Sequence, residues 1–296
     1  MTAPSFHTPG IIVASRPTVI LGGTAGRFGS TRAALATASR GAFHAIDLDL
    51  RTTWLPPSWT RITSVADREI IRVRSVWLPE FLHGFAEEPR AHRLEEFLRH
   101  GQGELGLREL IVPRLLADGT NGFNVSRHAR DFAKRSHGVV RLVIGIRAES
   151  LIRSANHLDR IVSIRRAVEE WDLDVALDLT GTISPRWESE AAIAKVLPRL
   201  TVVRIESWLN ADGTADTTPR GQLAARTIAM LSDQKYTGII SLYPVPSSLL
   251  IRPTVASMAS MAELLYRDIQ NRYARTNSMP VQGIPAPYPH PSVDRP

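Results

Sequence analysis

The chain has 296 residues, 43% of them hydrophobic and 22% charged, the composition of an ordinary globular protein, which excludes a chain disordered throughout. It carries a net charge of +7, and of its 36 basic residues only Lys134, Lys195 and Lys235 are lysine, the rest being arginine. These basic residues are mixed with Asp and Glu, as over 61–74 and 90–108, so the stripe of charge with interleaved aromatics that specific nucleic-acid binding requires is not expected.

The arginine bias has two readings. It reflects the base composition of the encoding genome, or some of the arginines are forks for anions, because a planar guanidinium grips phosphate or carboxylate with two parallel hydrogen bonds. Cysteine is absent, which excludes disulfides, thiolate metal sites and cysteine nucleophiles. The first 17 residues lack a basic start followed by an apolar core, and no stretch has the roughly 18 apolar residues of a membrane span. The expectation is a cytoplasmic protein with no membrane partner.

Short apolar runs alternate with segments of helical spacing along the chain, the signature of buried parallel strands connected by helices. Residues 1–17 are expected to form an arm. The first strand covers 18–22 and leads through a glycine-rich turn into a helix over 30–40. That turn, Gly22-Gly23-Thr24-Ala25-Gly26-Arg27, has neither a dinucleotide fingerprint nor a phosphate-loop Lys-Ser/Thr pair. It reads as a tight strand-to-helix connection, or as a helix N-terminus whose N–H groups hold an anion with help from Arg27.

The second strand covers 45–50 and is closed by a loop containing Pro56 and Pro57. A helix at 64–70 leads to a strand at 73–78, and one at 91–100 leads to 110–112. Beyond the Asp118-Gly119 and Asn121-Gly122 turn signals, a helix over 126–136 precedes the strand at 141–146, and a long helix over 156–171 precedes 174–179. A helix at 188–196 ends before Pro198 and delivers the strand at 201–205; a helix at 221–233 delivers 238–242, and 254–275 forms the last helix. Eight strands and eight helices in alternation predict an α/β fold of the (β/α)8 TIM-barrel type, one domain over 18–279. The stretch 280–296, PVQGIPAPYPHPSVDRP, is too rich in proline for helix or core strand and reads as a mobile tail.

Strand pleating then sorts side chains. Where Ile46, Leu48 and Leu50 face the helices, Asp47 and Asp49 face the barrel. Outward Val175, Leu177 and Leu179 leave Ala176, Asp178 and Thr180 inside, and outward Leu142, Ile144 and Ile146 leave Val143, Gly145 and Arg147. Outward Val203 and Ile205 leave Arg204 and Glu206. Active sites of this fold lie at the carboxyl ends of the strands. The candidate catalytic residues are therefore Asp47, Asp178 and Glu206, and the candidate substrate-binding residues are Arg51, Trp77, Arg114, Arg147, Arg204 and Tyr243. Arginine beside a carboxylate supplies a cation for a developing enolate oxygen and a base for a proton next to a carbonyl. The alternative use of the same residues is a set of buried ion pairs that closes a barrel with no ligand.

Four segments carry a family resemblance. A helix runs into Gly41-Ala42-Phe43 and a strand with Asp47; residues 73–79 read VRSVWLP, 175–181 read VALDLTG, and 236–243 read YTGIISLY. In this order they resemble the xylose isomerase-like barrel superfamily of sugar-phosphate isomerases and epimerases, whose patterns are "Gly-Phe/Tyr-x-x-Val-Glu" at the second strand, "Leu-Asp-Thr-Gly-His" at the sixth and "Tyr-x-Gly-x-Leu-Ser-Leu-Glu" at the eighth. The resemblance spans roughly residues 18–267 and implies proton-transfer chemistry on sugars or sugar phosphates, with a divalent metal held by carboxylates and histidines at the strand ends. The positions that correspond here read Asp47, Trp77, Gly145 or Ile146, Asp178, Gly181, Arg204 and Tyr243. Only the two aspartates are metal-ligand types. His83, His92, His100, His128, His137 and His157 fall on helices or their flanking loops, and His44 lies at the start of a strand. The expectation is a barrel with no cofactor, Mn²⁺ or Mg²⁺ being the alternative, that takes a small anionic polyol or keto compound. A catalytically inactive barrel serving as a binding or assembly subunit of a pathway complex, or a homo-oligomer, is the competing reading.

Overall fold

The computed structural model describes residues 16–24, 31–41, 43–49, 66, 68, 71–78, 99, 106–113, 134–135, 139–147, 174–180, 196–244 and 254–278. The arm before residue 16 and the proline-rich tail lie outside them. Eight parallel strands form a closed barrel in sequence order: β1 Thr18–Thr24, β2 Ala45–Asp49, β3 Arg72–Trp77, β4 Glu109–Pro113, β5 Arg141–Arg147, β6 Asp174–Asp178, β7 Leu200–Glu206 and β8 Ile239–Tyr243. Closure, which alternation alone does not reveal, is made by β1 pairing with β8 in the register Thr18↔Ile239 to Leu21↔Leu242.

Each strand expected from the sequence is present, displaced by at most two residues at either end. The described helices are α1 Thr31–Arg40, α2 Pro219–Asp233 and α3 Val255–Ser278. Ala66, Arg68, Arg99, Lys134, Arg135 and Val196 are helical, as expected, and the remainder of the intervening predicted helices lies outside the described residues. Helix α2 begins two residues earlier than its apolar pattern, because Thr218 caps it, accepting from the Gly221 N–H, and Pro219 occupies the first turn, where its missing N–H costs nothing.

The apolar side chains form two layers. Outward residues such as Ile46, Leu48, Val73, Leu110, Ile144, Leu177, Val203 and Leu242 pack against Leu35, Leu223, Ile228, Leu265 and Ile269 of the helices. Inside the barrel Ile20, Trp77, Ile111, Val143, Ala176, Val202 and Ile239 fill the lumen. This segregation is the alternation read from the sequence, now seen on both faces of the strands.

Two shifts of register interrupt it. Ile46 pairs with Val73 but Asp47 with Ser75, so Arg74 is an extra residue on β3; Val175 pairs with Leu200 but Ala176 with Val202, so Thr201 is extra on β7. Such bulges re-aim a side chain that strict pleating would have placed elsewhere. The Gly41-Ala42-Phe43 junction also has a packing reason: a Cβ on Gly41 would sit 3.0 Å from the Phe43 ring, which is buried and meets Tyr266 of α3 edge-on at 5.9 Å. No helix among the described residues is long and apolar enough to cross a membrane.

Candidate functional site

Arg204 is the hub of the lumen. It leaves β7 fully buried, and its guanidinium crosses to the opposite side of the barrel, where Nε donates to Asp47 Oδ2 at 2.9 Å and Nη1 to Asp49 Oδ2 at 2.6 Å. Nη2 lies 2.7 Å from Asp47 Oδ2, and the guanidinium carbon stands 5.0 Å from the centre of the Trp77 ring. Cation and ring face attract through the aromatic quadrupole, more strongly where water is excluded.

Asp47 receives more than the arginine. Ser75 donates to its Oδ1 at 2.6 Å, while Trp77 Nε1 at 3.0 Å and the Ser241 hydroxyl at 2.9 Å donate to Oδ2. Oδ2 therefore accepts three donors and Oδ1 one. Strands β2, β3, β7 and β8 thus converge on one buried carboxylate. Gly22 on β1 makes the convergence possible: it is in register with Asp47, and a Cβ there would stand 3.0 Å from Ser241 Oγ and 3.1 Å from the Leu242 carbonyl oxygen.

Two other candidates end their strands. Asp178 closes β6, is buried, and accepts the Thr180 N–H at 3.0 Å and the Thr180 hydroxyl at 2.7 Å on Oδ1. Glu206 closes β7, with Arg220 of α2 at 3.7 Å from its Oε2. In the ladder Asp178 lies opposite Arg204 on one side and Arg147 on the other, and Glu206 opposite Tyr243. The expected meeting of Asp47, Asp178 and Arg204 in one barrel is therefore observed, by direct contact for the first and third and by register for the second.

The remaining candidates are distributed differently. Trp77 is 2% exposed and belongs to the inner core layer, where it holds Asp47 and underlies Arg204. Tyr243 is 8% exposed at the end of β8. Arg147 ends β5, but its side chain, like Arg51 and Arg114 altogether, lies outside the described residues. His44 is exposed at the start of β2, at the end expected.

Sequence reasoning missed Ser75, Ser241 and Arg220. Ser241 had a signal, since it shares the inward parity of Tyr243. Ser75 had the same kind of signal, since it shares the inward parity of Trp77, although the bulge at Arg74 gives outward Val73 that parity too. Arg220 sits in the first turn of α2, and nothing in the sequence aims it at Glu206.

The loop after β7 is firmly built. Trp208 is 1% exposed and donates from Nε1 to Asp268 of α3 at 2.8 Å, Ser207 bonds the Leu209 carbonyl at 2.6 Å, and Leu209 pairs with Ala215 across a tight turn. At its tip Asp212 accepts the Thr214 hydroxyl and N–H, which hold its carboxyl below the usual range. Among the described residues no group of three or more His, Asp or Glu is arranged to hold a metal ion.

No family model and no curated protein matches the chain by sequence. Solved structures do match in fold. The chain is similar to D-allulose 3-epimerase from Methylomonas sp., in complex with D-allulose, at 16% identity over 88% of this chain and 98% of that one, with a TM-score of 0.54. It is similar to a xylose isomerase domain protein from Planctomyces limnophilus (11% identity, 89% and 99% covered, TM-score 0.55) and to 3-keto-D-glucoside 4-epimerase from E. coli (13%, 85% and 100%, 0.52). The fold is thus that of the xylose isomerase-like barrels, as the sequence motifs implied, and these neighbours are barrels of the sugar isomerase and epimerase kind.

Proposed function

We propose that the chain is an isomerase- or epimerase-like enzyme that moves a proton beside the carbonyl of a small polyhydroxylated keto compound. The observation that supports this is the gathering of inward charges at the carboxyl ends of the strands. Asp47, Asp49 and Arg204 engage one another within the lumen at 2.6–2.9 Å, and Asp178 and Glu206 close β6 and β7 at the same mouth at which Asp49 closes β2. Strand ends are where this fold conducts its chemistry.

In this reading Asp178 or Glu206 is the base, and Arg204 is a fixed cation beneath the developing enolate oxygen. A charge held in place before the reaction stabilises the transition state without reorganisation. Asp47 is the orienting group, because its oxygens are taken by Arg204, Ser75, Trp77 and Ser241. Tyr243 flanks the substrate, and Arg51, Arg114 and Arg147 hold its phosphate or carboxylate. A divalent metal at Asp47 does not fit this donor set: a guanidinium already provides the cation there, and Asp47 Oδ2 accepts three donors. The compounds that the neighbours are named for, D-allulose and a 3-keto-D-glucoside, support the keto-sugar class.

One observation favours a second reading, a barrel that binds or assembles without turnover. Arg204 and Asp47 satisfy each other in the way a sealed core requires. Proton exchange separates the two. Ketohexoses and ketose phosphates incubated with the protein in D₂O should take up deuterium next to the carbonyl, observed by NMR. Positioned acid–base groups contribute roughly 10²- to 10⁴-fold, so Glu206→Gln or Asp178→Asn should slow the exchange by at least about 100-fold while leaving the fold intact. Wild-type protein that exchanges none of these compounds would sustain the second reading and end the first.

A further inference from the structure

At the opposite end of the barrel, where the strands begin, a polar cleft of about 410 Å³ opens between the starts of β5, β6 and β7 and the turn that enters β8. Its charged lining is Arg141, Arg199, Lys235 and Asp174. Three cationic residues and one carboxylate line it, and Arg141 engages that carboxylate at 3.0 Å, so the described lining carries a net positive charge. Its volume falls in the range of small-ligand sites.

The cleft is also shaped by rigid and strained backbone. Lys235 adopts a left-handed φ of 52° at the end of α2, the position at which glycine is the low-cost residue. It is held there by its own N–H to the Ser232 carbonyl and by the Tyr236 N–H to the Leu231 carbonyl, both 2.9 Å. A non-glycine residue in this conformation persists only where the surroundings fix it, and such positions gather at ligand sites. Behind it, Gly238 lies so close to β7 that a Cβ would be 2.7 Å from the Thr201 carbonyl oxygen, and the buried Tyr236 hydroxyl bonds the Ile239 carbonyl oxygen at 3.2 Å. Thr201 itself is the bulged residue of β7, and it lines the cleft.

From this arrangement we infer a second anion site, for inorganic phosphate or a phosphate monoester, at the amino-terminal mouth of the barrel between Arg141, Arg199 and Lys235. Arginine forks suit the planar pairs of phosphate oxygens, and the lysine adds a point charge. The Thr201 hydroxyl at the cleft wall suits the bridging or sugar oxygens of a monoester. The site is independent of the proposed chemistry: β7 spans seven residues from Leu200 at the cleft to Glu206 at the other mouth, roughly 20 Å along an extended strand.

The test is thermal denaturation of the full chain in inorganic phosphate and, separately, glycerol phosphate, against chloride at matched ionic strength, with affinities from the concentration dependence. A ligand bound only by the folded state raises the midpoint. Wild type should show such a rise, and Lys235→Gly and Arg199→Gln should each weaken the apparent affinity at least tenfold. Lys235→Gly is chosen because glycine relaxes the left-handed position, so the variant folds at least as well in chloride while losing the ammonium. Glu206→Gln, at the other mouth, should leave the effect unchanged. A stronger response to glycerol phosphate than to phosphate would identify the monoester as ligand, and equal responses the free ion. Absence of any anion-specific rise in wild type, a rise that survives both Lys235→Gly and Arg199→Gln, or one that is lost in Glu206→Gln alone would overturn the inference.

Discussion

Replacing Arg204 with methionine removes a guanidinium that touches both Asp47 and Asp49, which are 0% and 4% exposed, and it leaves the apolar volume of the side chain largely filled. Both buried carboxylates then lose that counter-charge. Breaking a buried ion pair by deleting one partner costs about 3–5 kcal/mol, and for a chain of this size each kcal/mol moves Tm by roughly 2–4 °C. Arg204→Met should therefore lower the melting midpoint by roughly 6–20 °C at neutral pH. Urea unfolding at neutral pH provides the sharper assay. Converting Asp47 and Asp49 to asparagine in the same chain should recover part of the loss at pH 7, because the orphaned charges are then gone. A loss below about 1 kcal/mol would refute the view that Arg204 is the internal counter-ion of the barrel; exposed pairs are worth that little.

Gly145→Ala would place a Cβ 2.8 Å from Ile111 Cγ2 and 2.9 Å from the Trp77 ring, so it should destabilise by about 1–3 kcal/mol, the usual cost of overpacking, and shift the tryptophan emission. Thr218→Ala removes the cap of α2 and should cost about 1 kcal/mol in urea unfolding, with Thr218→Ser restoring most of it. Burial raises the Glu109 carboxyl above its ordinary value, against the lowering influence of Arg74. Its contribution to stability is thus fully present below the unfolded value of about 4.3 and is lost as the pH rises through the higher folded value. Urea midpoints of wild type minus those of Glu109→Gln should accordingly fall between pH 4 and pH 7, and parallel profiles would contradict the burial of this group.

How far the molecule was legible in its sequence depends on what sets each feature. Strands such as Leu142 to Ile146 or Val202 to Ile205 are short, apolar and enclosed by turn signals, so their existence and parity follow from the chain alone, and the inward direction of Asp47, Asp178 and Arg204 was correct. Closure through β1 and β8 was implied by counting and by the resemblance, not by any residue. The bulges at Arg74 and Thr201 were illegible, because an extra residue in one strand is a property of its neighbour's register; the first gives outward Val73 the same parity as inward Ser75 and Trp77, and the second brings Thr201 to the cleft wall.

Pleating also says where a side chain points but not what it meets. Arg204 and Glu206 share one parity on one strand, two residues apart, yet one crosses the lumen to β2 and is sealed by Trp77, while the other stays at the rim beside Arg220. The difference arises from reach. A long guanidinium one layer below the rim can reach two carboxylates on the far wall, and in the absence of water that contact is stronger than any it could form outside. Position along the strand does not by itself decide the role, since Asp49 is also the last residue of its strand and is met by Arg204. What marks Asp178, Glu206 and Tyr243 as the first residues to mutate in search of activity is that they close β6, β7 and β8 at the carboxyl-terminal mouth, where this fold places its chemistry.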